Sequence, residues 1–236
     1  MRIAVSRLHS VSTMALLSVL LAGSAEGQEM DNGVFHFSQL EVDASRIEGS
    51  ALDRWDGSGW IGTDFDRLWW STEGEYADGS LGSVEAMAVY GHYFRRFWDV
   101  VVGYRQDIEP TAQGYLAFGL AGLAPYWFEV GAFGFISQDG QPSVRLEADT
   151  DLFLTQRFIL TLGGELDWLL TDDDRLDLDR GIAEVELGLR TRYEIRRKFA
   201  PYVDLSWVRE KEGLGAGAGS VTNSAVRVGV GLRLVY

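Results

Sequence analysis

Val226-Arg227-Val228-Gly229-Val230-Gly231-Leu232-Arg233-Leu234-Val235-Tyr236 decides the fold class. Every even position from Val226 to Leu234 is aliphatic, the odd positions are Arg or Gly up to Val235, and an aromatic comes last. A period of two is the signature of a strand with unlike faces. One face suits hydrocarbon and the other suits water. The run is as long as a tilted membrane-spanning strand needs, and its terminal tyrosine would sit at a bilayer interface. The stretch therefore points to a membrane barrel rather than to a soluble domain.

Two other segments repeat the pattern. Phe158, Leu160, Leu162, Leu166, Trp168 and Leu170 share one face of a strand, with Arg157, Thr161, Glu165 and Asp167 on the other. Val185, Leu187, Leu189, Tyr193 and Ile195 oppose Glu184, Glu186, Arg190, Arg192 and Glu194. In a membrane barrel the charged face lines the lumen. Trp69, Trp98, Tyr126, Trp127, Trp168, Trp207 and Tyr236 fall near strand ends, where aromatic girdles form.

Working outward, the spacing predicts twelve strands: 34–46, 51–62, 66–76, 83–94, 97–108, 114–125, 127–137, 142–154, 157–170, 182–195, 199–209 and 224–236. The expected fold is all-β, a closed antiparallel outer-membrane β-barrel over residues 34–236. Connections are expected to alternate. Long ones run from Tyr76 to Ser83, Asp107 to Gly114, Asp139 to Ser143, Asp172 to Gly181 and Glu210 to Ser224. Short ones lie near Asp64-Phe65, Arg95-Arg96, Tyr126, Thr155-Gln156 and Arg196 to Lys198. Long extracellular loops and short periplasmic turns would put both chain ends in the periplasm.

The beginning of the chain agrees with export. Arg2 and Arg7 precede an apolar stretch from Val11 to Leu21, and small residues follow at Gly23-Ser24-Ala25 or Ala25-Glu26-Gly27. Residues 1–25 read as a signal peptide, and residues 26–33 as a short polar periplasmic tail. No later segment offers the roughly 18 consecutive apolar residues of a membrane helix. The 236 residues contain no cysteine, so a secreted fold must be held without disulfides, as a closed sheet is. A net charge of −14 excludes a nucleic-acid partner and permits a cation-attracting lumen.

Ordered motifs along the middle carry a family likeness. They are Asp56-Gly57-Ser58-Gly59-Trp60-Ile61-Gly62-Thr63-Asp64, Arg67-Leu68-Trp69-Trp70-Ser71-Thr72-Glu73-Gly74-Glu75, Phe97-Trp98-Asp99-Val100 and Gly103-Tyr104-Arg105-Gln106-Asp107. Leu123-Ala124-Pro125-Tyr126-Trp127-Phe128-Glu129-Val130, Leu154-Thr155-Gln156-Arg157, Leu187-Gly188-Leu189-Arg190 and Tyr193-Glu194-Ile195-Arg196-Arg197 complete the set. Together these resemble the copper resistance protein B family of bacterial outer membranes, over roughly residues 34 to 236. The resemblance implies an outer-membrane barrel that binds copper and supports copper tolerance and homeostasis. The partners it implies are outer-membrane lipid, copper ions and a periplasmic copper protein. One departure stands out. Many members of the family carry a Met- and His-rich N-terminal extension, whereas Gly27-Gln28-Glu29-Met30-Asp31-Asn32-Gly33 holds one Met and no His.

Copper-ligating candidates are then few: Met30, His36, Met87 and His92. Thioether and imidazole are what copper prefers. Met30 and His36 are close enough in sequence to share an ion at the periplasmic mouth. Parity puts His92 with Ala88, Tyr90 and Phe94 on the lipid side and Met87 with Glu85 and Tyr93 on the other, so these two read equally as an interfacial aromatic and a lumen residue. Expected lumen residues are Glu41, Glu73, Glu75, Glu85, Asp99, Arg105, Glu129, Arg145, Glu147, Asp149, Glu165, Asp167, Glu184, Glu186, Arg190, Arg192, Glu194 and Asp204. They read as a salt-bridge network that fills the barrel or as an acidic path for small cations. Asp172-Asp173-Asp174 with Asp177 and Asp179 lacks the glycine and closing Glu of an EF-hand loop and reads as a solvated loop. His36-Phe37-Ser38 sets a histidine beside a serine on one strand face, a weak hydrolase signal. The chain is not expected to be an enzyme.

Overall fold

The computed structural model describes residues 33–77, 79–173, 175–213 and 220–236. The expected leader and most of the polar tail lie outside the described residues. Twelve strands follow one another: β1 Phe35–Ile47, β2 Ser50–Gly62, β3 Asp66–Ala77, β4 Ser80–Arg95, β5 Trp98–Glu109, β6 Gln113–Ala124, β7 Phe128–Ser137, β8 Pro142–Phe153, β9 Phe158–Leu169, β10 Gly181–Tyr193, β11 Phe199–Gly213 and β12 Ser220–Val235. Each pairs antiparallel with its sequence neighbours, and β1 closes the ring on β12 from Gln39↔Val235 to Ile47↔Arg227. Closure leaves no unpaired sheet edge around the ring, which hydrocarbon demands of any sheet that crosses it.

The opening pattern keeps its meaning. Val226, Val228, Val230, Leu232 and Leu234 face outward and are 40–60% exposed, while Arg227 is 3% exposed inside the barrel. Leu40 and Val42 on β1, Val100 and Val102 on β5, and Leu187 and Leu189 on β10 continue the outer apolar band. Large side chains lie flat over glycines on this face. A Cβ at Gly74 would stand 2.2 Å from the Trp55 ring, so only glycine leaves room for that indole. The exterior is hydrocarbon-compatible and the barrel is an outer-membrane β-barrel.

Connection lengths depart from the expected alternation. At the rim away from the chain ends they are residues 48–49, 78–79, 110–112, 138–141, 170–180 and 214–219; at the rim holding the chain ends they are 63–65, 96–97, 125–127, 154–157 and 194–198. The expected long Tyr76–Ser83 loop is a two-residue turn, because β3 and β4 stay paired to Ala77↔Ser80. Likewise β11 and β12 pair out to Gly213↔Ser220. Hairpin pairing satisfies backbone groups beyond the bilayer and consumes residues that alternation alone assigns to loops. The expected asymmetry is reduced to two connections at the far rim, 170–180 and 214–219, which alone are longer than any at the chain-end rim.

The chain-end rim is knitted turn to strand. Tyr93 N donates to Phe65 O at 2.8 Å, Leu123 N to Phe97 O at 2.9 Å, Glu194 N to Arg157 O at 2.8 Å and Val235 N to Lys198 O at 3.1 Å. Tyr126 and Trp127 hold left-handed backbone, at φ 69° and 66°, in the β6–β7 turn.

Part of the interior is apolar, a feature absent from the expected lumen. Val89, Val101, Tyr115, Ala117, Phe133 and Phe135 are buried together, flanked by Trp69, Met87 and Ala121. Phe135 is 1% exposed. It stacks on Phe133 at 6.2 Å and meets Tyr115 edge-on at 6.4 Å. This wedge grows from β4 to β7 and confines the charged side chains to the remaining space.

Candidate functional site

The charged lumen consists of two guanidinium–carboxylate clusters. The larger joins β1 and β2 to β10, β11 and β12. Arg54 donates to Asp43 at 3.2 Å and lies 3.6 Å from Glu186 and 3.9 Å from Asp204. Arg190 donates to Asp204 at 3.1 Å and to Glu41, and its guanidinium lies over the Tyr202 ring at 4.6 Å. Arg227 donates to Glu186 and, at 3.5 Å, to Glu75 on β3. Arg233 stands 3.6 Å from Glu41, and Arg192 donates to Asp151 at 3.0 Å and Thr161 at 2.7 Å.

The second cluster centres on Arg145. It donates to Asp167 through two bonds of 2.9 Å and to Glu85 through bonds of 3.1 and 3.2 Å, and its Nε is 3.0 Å from Glu165. Arg105 donates to Asp107 at 2.9 and 3.2 Å and lies over Tyr115 and Phe135 at 5.0 and 4.9 Å. The planar fork of Arg suits this bidentate use, and cations over aromatic faces gain further attraction where water is scarce. Nearer the chain-end rim, Arg67 pairs with Asp99 at 3.5 Å.

Carboxylates exceed these partners. Among the described residues no ion pair reaches Asp56, Glu129, Glu147, Asp149, Glu184 or Glu210, whereas Glu73 has only Arg145 at 3.8 Å. The register sets acids opposite acids: Glu41↔Asp56, Glu73↔Glu85, Glu129↔Asp149, Glu147↔Glu165, Glu165↔Glu186, Asp167↔Glu184 and Glu184↔Glu210. Directly opposed side chains stand about 4.5–5.5 Å apart at Cβ, and like charges there destabilise a sheet. Glu147, Glu165 and Glu186 form a row across three adjacent strands. Arg145 meets Glu165, and Arg54 and Arg227 meet Glu186, so the uncompensated oxygen donors are Glu147 in the row and Glu129 and Asp149 beside it.

Of the eighteen expected lumen positions, Glu41, Glu73, Glu75, Glu85, Asp99, Arg105, Glu129, Arg145, Glu147, Asp149, Glu165, Asp167, Glu184, Glu186, Arg190, Arg192 and Asp204 share the inward parity of their strands, and Glu194 lies in the β10–β11 turn. Sequence reasoning missed Asp43, Arg54, Asp56, Asp151, Arg227 and Arg233. Arg227 and Arg233 carry a visible signal, since they occupy the water-facing positions of the closing strand.

The copper-ligating candidates do not converge among the described residues. His36 faces outward at the chain-end rim, with its ring 5.9 Å from Tyr236. Lys198 caps the other interaction of that tyrosine, its Nζ 4.9 Å from the ring. His92 also faces outward, Nδ1 2.7 Å from Asp66 Oδ1, which Tyr90 shares. Met87 packs inside against the apolar wedge. Met30 lies outside the described residues. No three His, Cys, Asp or Glu side chains among the described residues form a metal-holding group. The acidic loop departs from the solvated reading: Asp173 is buried, and its Oδ1 accepts from the N–H of Arg175 at 3.0 Å and of Leu176 at 3.3 Å.

Solved porins share the architecture. The NanC porin superposes with a TM-score of 0.59 at 14% identity, over 83% of this chain and 98% of that one. The KdgM porin gives 0.54 at 14% identity, again over 83% and 98%. Those likenesses concern the fold. Sequence is more specific. Copper resistance protein B of Escherichia coli is 38% identical over 188 residues, 78% of this chain and 64% of the relative. The copper resistance protein B homolog of Pseudomonas syringae pv. tomato is 42% identical over 202 residues, 85% of this chain and 63% of the relative. The chain thus spans somewhat under two thirds of the length of these relatives. The family model described as copper resistance protein B precursor matches residues 32–236, and the chain belongs to that family.

Proposed function

We propose that this barrel serves copper resistance and copper homeostasis at the outer membrane by gathering copper(II) on the carboxylates of its lumen. The observation that carries the reading is the row of opposed acids Glu147, Glu165 and Glu186, with Glu129 and Asp149 beside it. Repulsion along that row falls when a cation enters. Oxygen donors suit copper(II) as a borderline ion and serve copper(I) poorly, since copper(I) wants thiolate, thioether or imidazole. Copper is cargo in this reading. A non-enzymatic role fits this reading, since His36 is turned to the outer face with its ring tilted against Tyr236 at 5.9 Å.

The orientation proposed is that of the sequence expectation, with the chain-end rim in the periplasm. Met30 and His36 would then offer an accessory ligand pair where a periplasmic copper protein could receive the ion. A second reading is passage of small cations along the same acids. It is favoured by the succession Glu129↔Asp149, Glu147↔Glu165 and Glu184↔Glu210, which steps from one rim toward the other. Titration of the detergent-folded protein with copper(I) and with copper(II), beside a Met30→Ala/His36→Ala variant, tests the proposal. Copper(II) binding that survives the variant is expected. Binding of copper(I) alone, abolished by the variant, would move the site to the rim.

A further inference from the structure

The connection between β9 and β10 turns into the mouth of the barrel. It is braced internally: Asp173 accepts two backbone N–H groups, and the backbones of Asp173 and Leu178 exchange hydrogen bonds of 2.8 and 3.0 Å. It is also fastened to the wall at separated points. Arg175 donates to the Tyr115 hydroxyl of β6 at 3.4 Å and lies 3.4 Å from Asp139 in the β7–β8 turn. Gln141 donates to the Asp172 carbonyl at 3.1 Å. On the far side, Lys211 of β11 donates to the Asp179 carbonyl at 2.8 Å, and the Ser220 hydroxyl of β12 donates to the Asp179 carboxylate at 2.9 Å. A Cβ at Gly213 would stand 2.0 Å from Leu176 O, so the loop lies against the β11 backbone as only glycine allows.

Those anchors lie on widely separated strands of the ring, so the loop crosses the opening. Beneath it is a cavity of about 260 Å³ whose walls include Leu176, Leu178, Tyr115, Arg145, Glu184 and Glu210. It is large enough for a hydrated ion or a small organic cation.

We propose that the described parts of this loop, residues 170–173 and 175–180, form a fixed size-selecting element at this mouth, with Arg175 as its positioning residue. Small cations reach the Glu184–Glu210 vestibule beneath it and bulky solutes do not. The proposal rests on the reading that ions enter the lumen, and it adds the element that decides which solutes arrive there.

Because the chain has no cysteine, single thiols report access without background. In the full folded barrel, Glu184→Cys is treated with a small cationic methanethiosulfonate and with a maleimide carrying a long polyethylene glycol chain. Ser80→Cys, at the exposed start of β4, serves as the outer reference. With the loop intact, the small reagent is expected to label Glu184→Cys readily and the bulky one at least tenfold more slowly than it labels the reference. Adding Arg175→Ala and Gln141→Ala is expected to raise bulky labelling at least tenfold and to leave small-reagent labelling within twofold. Equal bulky labelling with and without the loop anchors would overturn the proposal, as would exclusion of the small cation from the intact protein. Should Glu184→Cys fail to fold, Glu210→Cys on the facing strand position gives the same readout. No copper is used, so a barrel that binds no copper yet shows the size cut-off would fail only the functional reading.

Discussion

Arg145 on β8 and Glu85 on β4 meet across the lumen, Nη1 donating to Oε1 at 3.1 Å and Nη2 to Oε2 at 3.2 Å. The two strands stand four places apart in the ring, so this pair ties together walls that share no backbone hydrogen bonds. The same guanidinium holds Asp167 with two further bonds of 2.9 Å. Removing one member of such a buried set leaves carboxylates without compensation, at a cost of about 3–5 kcal/mol. Arg145→Ala is expected to lower the unfolding midpoint in urea with folded micelles, and Arg145→Ala/Glu85→Gln to recover part of the loss. Arg145→Lys, which keeps the charge but not the fork, should fall between. Equal stability of Arg145→Ala and the native chain would remove the cross-lumen tie from the account.

The apolar wedge makes a separate prediction. Phe135 is fully buried among Phe133, Tyr115 and Val101. Phe135→Ala opens a cavity there, and large-to-small core changes of this type cost about 3–5 kcal/mol. The same truncation at the outward Phe118, which is 45% exposed, should cost clearly less. Thermal scans of both variants in one detergent compare them directly.

The outer band can be tested by charge. Leu232 lies on the lipid face of β12 opposite Val42. Leu232→Arg is expected to destabilise the protein in lipid vesicles by about 2–4 kcal/mol, as arginine does near a bilayer midplane. Refolding yield into vesicles gives the readout, and an unaffected yield would mean that β12 does not face hydrocarbon.

Opposed acids store repulsion that a cation relieves. Glu147→Gln should raise stability by about 0.2–1 kcal/mol in the presence of chelator, since it removes one like-charged neighbour from Glu165. Copper(II) in excess should raise the melting temperature of the native protein by mass action and raise that of the variant less. Identical copper shifts in the two proteins would place binding elsewhere.

Much of this architecture is legible in the sequence where water and hydrocarbon divide the two faces of a strand. Val226 to Leu234 alternate with Arg227 and Arg233 because lipid and lumen demand opposite chemistry. The wedge is not legible for the converse reason. On β5, Val100 and Val102 face lipid while Val101 faces the interior, so both faces are apolar and the alternation that marks inside from outside disappears. The inward acids follow parity, but their partners do not: nothing local to Arg54 announces Glu186, which closure of the ring brings to it across the lumen from β10. The inward course of the β9–β10 connection depends on the non-local contacts of Arg175 with Tyr115 and Asp139, and five aspartates in that stretch read as a solvated loop until those contacts are known.

Electron paramagnetic resonance of the folded barrel loaded with copper(II) tests the central claim most directly. Lumen carboxylates would give an all-oxygen copper(II) spectrum, without nitrogen superhyperfine coupling, that is weakened by Glu147→Gln/Glu165→Gln and unchanged by His36→Ala. A spectrum with nitrogen coupling that is lost in His36→Ala and untouched by the glutamate changes would contradict it, and would put the copper at the rim beside Tyr236 instead of in the lumen.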